Sequence, residues 1–228
     1  MSKESMVETG DIARLIGDLG ADLKPVRRLS PPWLRTLYWL VVVLGLALVL
    51  IGIRVAFNWN GEPEVDPYVI PGALASGVTA LLAAFAAFQL SLPDRSSAWA
   101  LLPVPAFLVW VAINGLGCVA SLANPAVQNN VPLFFTCLSI IFALSVPLSV
   151  ATIVMIRRAR PLRPLPVAIL GGLAASAAGA TLLILIHPHD SAVLDLCSHA
   201  LAVLVVVCIN VLVGGRLFVP ANNFRRHT

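Results

Sequence analysis

Charged side chains are scarce in this sequence. Only 11% of its 228 residues are Asp, Glu, Lys or Arg, 59% are hydrophobic, and the mean hydropathy is +0.92. Soluble globular domains carry about 25% charged and about 45–50% apolar residues. A water-soluble fold of this composition would have more apolar side chains than core to bury them in. That excludes a soluble cytoplasmic enzyme, a secreted disulfide scaffold and a disordered tail. Paired acidic residues are also missing from the apolar segments, and no segment has an acid at mid-depth, which argues against an ion-coupled transporter. There is no P-loop, dinucleotide fingerprint, HExxH or CxxC, so no cofactor is expected. Repeats and low-complexity runs are absent too.

What is present is a set of long apolar windows. A helix needs roughly 20 such residues to cross a hydrocarbon layer about 30 Å thick. Six windows qualify, at about 37–56, 68–91, 98–119, 132–156, 164–186 and 192–214. None alternates with the period of two that a barrel strand requires. The expected fold is therefore all-α, a bundle of six transmembrane helices. The first window is no signal peptide, because a long polar stretch precedes it and no small-residue cleavage site follows. The chain divides into an arm (1–36), the membrane domain (37–214) and a basic tail (215–228).

The basic residues set the threading. All but one of the 15 Lys and Arg residues fall on one side if the windows alternate; the exception is Arg54, at the end of the first window. Glu62, Glu64, Asp66, Asp190 and Asp195 fall on the other side. The positive-inside rule puts both termini in the cytoplasm, with Arg54 snorkelling outward. Small residues recur at helical spacing in window two (Gly72, Ser76, Ala80, Ala83, Ala87) and window five (Gly171, Ala175, Gly179, with Gly172 beside them), as close helix packing demands. Pro147 should kink window four, with Ser145 and Ser149 helping to satisfy the freed backbone groups. Asn114 and Asn210 are expected to hydrogen-bond between helices.

The arm is the only sizeable watery segment. Ile12, Leu15, Ile16, Leu19 and Leu23 fall on one helical face, Asp11 can cap that helix, Gly20 offers a stop and Pro25 ends it. Arg27, Arg28 and Arg35 suit the membrane face, and Pro31-Pro32-Trp33 delivers the chain to the first span. Such a face can lie on anionic lipid or dock on a soluble protein. Its polar side, with Asp11, Arg14, Asp18 and Asp22, is mixed rather than basic, which favours the protein.

Thiols and imidazoles crowd toward the outer surface: Cys118, Cys137 and Cys197, with His187, His189 and His199. Cys208 lies deeper. Two readings stand for Cys137, Cys197 and the three histidines, ordinary packing or capture of a soft metal or oxidant. A Ser-His-Asp site built from Ser191 or Ser198 is discarded, because the residues are too local and lack a nucleophile elbow.

Together, these residues resemble the NrsF-type anti-sigma factors, a family of six-span bacterial inner-membrane proteins. The likeness runs through LIGDLGADLKPVRRLSPPWLR (15–35), TCLSIIFALSVPL (136–148) and IHPHDSAVLDL (186–196). It implies an inhibitor, not an enzyme, that sequesters an extracytoplasmic-function sigma factor through the arm, with Asp22, Pro25 and Val26 joining the apolar face in the contact. It also implies contact with membrane lipid, no direct nucleic-acid binding, and sensing of metal or oxidative stress by cysteines near the periplasmic side. Cys137 matches the family's span-four cysteine. Where the family's second cysteine would follow, this chain reads His187-Pro188-His189-Asp190-Ser191, and Cys197 is the nearest thiol. The alternative function is a small transporter or permease component. Alkaline phosphatase, active only outside the cytoplasm, should work when fused at Glu62 or Asp190 and fail at Arg95 or Arg160; the reverse pattern would invert the topology.

Overall fold

Hydrocarbon offers a backbone no hydrogen-bond partner but itself, so spanning segments of this composition must close their bonds within helices. The computed structural model describes residues 12, 14–18, 20–21, 29–57, 68–122, 131–186 and 192–218. Its main elements are α1 (Pro32–Ala56), α2 (Val69–Leu90), α3 (Val104–Leu122), α4 (Val131–Arg157), α5 (Pro164–Leu183) and α6 (Ala192–Phe218), with a 3-10 turn at Ser97–Leu101. No strand occurs among the described residues, and six helices are long and apolar enough to cross a membrane. The chain is a multi-pass, all-α membrane protein.

Helix ends depart from the apolar windows for local reasons. α1 starts at Pro32 rather than near residue 37, because a proline in the first turn gives up an N–H that would be unpaired anyway. Leu34 and Arg35 already donate to the Pro31 carbonyl at 3.1 and 3.2 Å. Residues 32–36 are thus helical and continuous with the first apolar window. The third span opens as a 3-10 turn and becomes α-helical only at Val104, between Pro103 and Pro105. α5 stops at Leu183, and residues 184–186 form turns.

The core is built around α5. Of its most apolar stretch, 72% is buried, against 17% for α1. The small residues expected to pack do so. A Cβ on Gly172 would lie 2.8 Å from the Val207 Cα of α6, and one on Gly179 would lie 2.8 Å from Ser145 Oγ of α4. Toward α2, Ser76 Oγ donates to the Ala177 carbonyl at 2.8 Å. α2 and α6 make the most extensive contacts with α5, followed by α4. Backbones that close trade bulk for dispersion contact, which is what holds helices together in lipid.

Buried hydroxyls are satisfied locally. Thr79, Ser145, Thr152 and Ser176 each donate to the carbonyl four residues earlier, at 2.7–2.9 Å. This corrects the expectation that Ser145 and Ser149 serve the backbone groups freed by Pro147. That ring deprives the Ala143 carbonyl of its usual donor, four residues back. Yet Ser145 bonds the Ile141 carbonyl, and Ser149 Oγ accepts from Asn210 Nδ2 at 2.9 Å. α4 nonetheless continues as helix through Pro147. Asn210 links α6 to α4 as expected. Asn114 instead donates to the Trp110 carbonyl of its own helix at 2.8 Å, with its amide against Gly72.

Gly172→Ala should destabilise the bundle by about 1–3 kcal/mol, since the helices must move apart. Gly45→Ala, where nothing lies within 4 Å, should be neutral or slightly stabilising. Unfolding in detergent followed by circular dichroism measures both.

Candidate functional site

In the arm, residues 12, 14–18 and 20–21 are helical and residues 29–31 are not; Gly20, which read as a stop, is itself helical. Ile12, Leu15 and Ile16 are 53%, 59% and 65% exposed. Three large apolar side chains on one helical face thus stand clear of the bundle. The remaining arm positions named from the sequence, Leu19, Asp22, Leu23, Pro25 and Val26, lie outside the described residues.

The arm's root is where the sequence reading needs its main correction. Arg35 does not lie on the membrane face; it is 5% exposed. Its Nη1 donates to Ser91 Oγ at 2.9 Å, and its Nη2 to the Met155 carbonyl at 2.6 Å. The guanidinium carbon stands 4.7 Å from the centre of the Phe88 ring. Ser91 caps the C-terminus of α2, and Met155 lies in the last turns of α4. Two helix ends, each with a partial negative charge, and the face of an aromatic ring thus receive the cation. One turn along, Trp39 Nε1 donates to Thr152 Oγ1 at 2.9 Å, and Thr152 Oγ1 in turn donates to the Leu148 carbonyl at 2.8 Å. Arg35 and Trp39 are four residues apart, so they share a face of α1; that spacing at the mouth of an apolar helix was the available signal.

At the other end of α1, Arg54 Nη1 donates to the Leu185 carbonyl at 3.3 Å, beyond the end of α5. Arg54 therefore turns inward to a neighbouring turn rather than only outward to water. In α2, Gln89 Oε1 is buried and has no hydrogen-bond partner among the described residues. An acceptor left so costs about 1–3 kcal/mol, and no sequence pattern marks it.

Among the described residues the thiols and the imidazole differ in burial. Cys137 is 4% exposed and packs with Ile141, Leu183 and Ala202. His199 is also buried, 6.2 Å from the Trp110 ring centre to centre. Cys197 is exposed, on the same side of α6 as Leu201, Leu204 and Cys208, one helical stripe. Cys118 is half-buried. No group of three or more His, Cys, Asp or Glu residues suited to a metal occurs among the described residues. His187 and His189 lie outside those residues.

A sequence model of the NrsF family, described as negative regulator of sigma F, matches residues 19–219. The chain belongs to the NrsF family. No curated protein and no solved structure matches it. The match takes in the second half of the arm, its root at Arg35 and all six helices of this NrsF-family chain; Ile12, Leu15 and Ile16 precede it. NrsF proteins are negative regulators of a sigma factor, a regulatory family rather than an enzyme class.

Burial predicts thiol reactivity in this NrsF-family chain. Maleimide added to the detergent-solubilised protein should modify Cys197, near the end of its helix, at least about tenfold faster than Cys137, since modification needs an accessible thiolate. Equal rates, read by peptide mass spectrometry, would contradict the packing around Cys137.

Proposed function

We propose that this chain is an inner-membrane anti-sigma factor that holds an extracytoplasmic-function sigma factor at the cytoplasmic face through its arm. The observation that carries this reading is the exposed apolar face of Ile12, Leu15 and Ile16 on a helical segment that precedes the membrane-spanning bundle in the chain. Leu19, Asp22, Leu23, Pro25 and Val26 extend the contact toward the span. A sigma factor held this way has its polymerase-binding surfaces masked and is kept away from the nucleoid, so the chain needs no contact with DNA.

The charge distribution supports the cytoplasmic placement of both termini. Arg95, Arg157, Arg158, Arg160, Arg163 and Arg216 are exposed at the helix ends that share Arg35's side. They face anionic headgroups, which attract such segments at about 1 kcal/mol per basic residue. Release answers a metal or oxidative signal near the opposite face. Cys137 is the sensing thiol, with Cys197, His187, His189 and His199 as the neighbouring candidates. Moving the partner from mostly bound to mostly free needs only a few kcal/mol of differential affinity. A permease would need a polar path; α5 instead fills the centre with Gly, Ala and Ser side chains packed to contact.

Leu15→Asp with Ile16→Asp should abolish membrane retention of the sigma factor while the protein inserts normally. Two exposed apolar side chains buried on docking contribute about 3–6 kcal/mol, a loss of at least about a hundredfold in affinity. A panel of the extracytoplasmic-function sigma factors encoded in the same genome, tested by co-sedimentation with the membrane fraction, reads this; unchanged retention refutes the arm assignment. Cys137→Ser should blunt induction of the sigma factor's target genes by cadmium or peroxide, and a fully inducible mutant removes Cys137 from the mechanism.

A further inference from the structure

We propose that Arg35 and Trp39 are positioning residues that latch the arm's root to the bundle, and that the part of α4 beyond Pro147 sets or releases that latch. The proposal rests on the reading of the arm as the partner-binding segment. Its basis is where the polar contacts of α1 land. Buried residues of α1 are confined to Pro32, Arg35, Thr36 and Trp39 at its start and to Leu50 further on. Between them Val43, Leu46 and Ala47 pack partly buried against the core and Val41, Leu44, Leu48 and Val49 are exposed, so the side-chain hydrogen bonds of α1 to α4 are confined to its start. The start is the end that carries the arm, with Leu29, Ser30 and Pro31 exposed just before it.

Both bonds from the start of α1 to α4 reach the same short stretch. Trp39 donates to Thr152, and Arg35 donates to the Met155 carbonyl. Thr152 and Met155 follow Pro147, the interior proline of α4, where a missing N–H makes bending easier. Beside that position runs an apolar groove of about 150 Å³ between α4 and α6, lined by Phe142, Ser145, Val146, Ser149, Ile209 and Asn210 among others. The stretch of α4 after the proline therefore has both a pivot and room to move into. Swinging toward α6 draws Thr152 and Met155 away together. Arg35 then keeps only the α2 end, at Ser91 and Phe88, and a long guanidinium stem at the interface readily finds water or headgroup oxygens instead. Cys137 stands on the other side of the pivot, packed against α5 and α6 at Leu183 and Ala202. Any change in packing there reaches the latch along one continuous helix.

Hydrogen exchange by mass spectrometry tests this on the full chain in phosphatidylethanolamine/phosphatidylglycerol nanodiscs, with no partner added. Arg35→Gln and Trp39→Phe should each raise exchange at least about tenfold in both residues 36–40 and residues 152–157, leaving residues 171–179 in α5 unchanged. Arg35→Lys, which keeps the charge between the two helix ends, should restore part of the protection. Pro147→Ala should slow exchange in the two segments together. Three outcomes overturn the latch: a rise at 36–40 without one at 152–157, an equal rise in α5, or no effect of Pro147→Ala at 36–40.

Sigma-factor retention separates the latch from the arm reading on which it rests. Leu15→Asp should lose retention with exchange at 36–40 unaltered, and Arg35→Gln should lower retention about tenfold with exchange raised. Retention indifferent to Leu15→Asp sinks the arm reading. Retention indifferent to Arg35→Gln, with Leu15→Asp still disabling, sinks the latch alone.

Discussion

Helices in hydrocarbon gain nothing by hiding apolar surface from one another, so this bundle depends on how near its backbones can come. α5 makes that approach possible. Its Gly171, Gly172 and Gly179 present no side chain where Thr152, Val207 and Ser145 press in, and its alanines and serine fill the remaining contact without bulk. Every other arrangement follows from that central helix: α2, α4 and α6 are placed by their contacts with it, and α3 is placed by α2 and α6. Polar groups add bonds without disturbing this, because hydroxyls at helical positions turn back to carbonyls four residues earlier.

α1 obeys a different constraint. It presents large aliphatic residues to lipid on one side, packs Val43, Leu46, Ala47 and Leu50 against the core on the other, and makes its polar contacts through arginines near its two ends and one tryptophan. A guanidinium suits this task because it offers several donors in a plane, and the carbonyls at helix C-termini have no partner within their own helix. Arg35 and Arg54 thus satisfy groups that would otherwise be orphaned in an apolar medium. The helix that follows the arm is thus held by apolar packing along one face and by polar bonds near its ends.

Much of the architecture was legible along the chain. Twenty-residue apolar windows leave little choice but spanning helices, and the small-residue stripes at Gly72–Ala87 and Gly171–Gly179 already marked two helices able to pack closely. The arm's face was legible from spacing as well, because Ile12, Leu15 and Ile16 recur with the helical period. Less was legible at the root. Arg35 reads as one more positive-inside charge, and only the meeting of three segments far apart in sequence turns it into a buried donor. Likewise, position along the chain does not say which thiol is packed inside: Cys137 is buried and Cys197 is exposed.

The sequence by itself determined the solvent, the number of crossings and the period of the arm's apolar face, because these depend on local composition and on the fixed rise and turn of a helix. Tertiary structure alone decided which helix fills the centre, that Arg35 is inside rather than at the surface, and that Thr152 and Met155 beyond Pro147 receive the bonds from the root of the arm. Those outcomes depend on which surfaces meet at close range, and a one-dimensional pattern carries no record of which way a helix faces its neighbours.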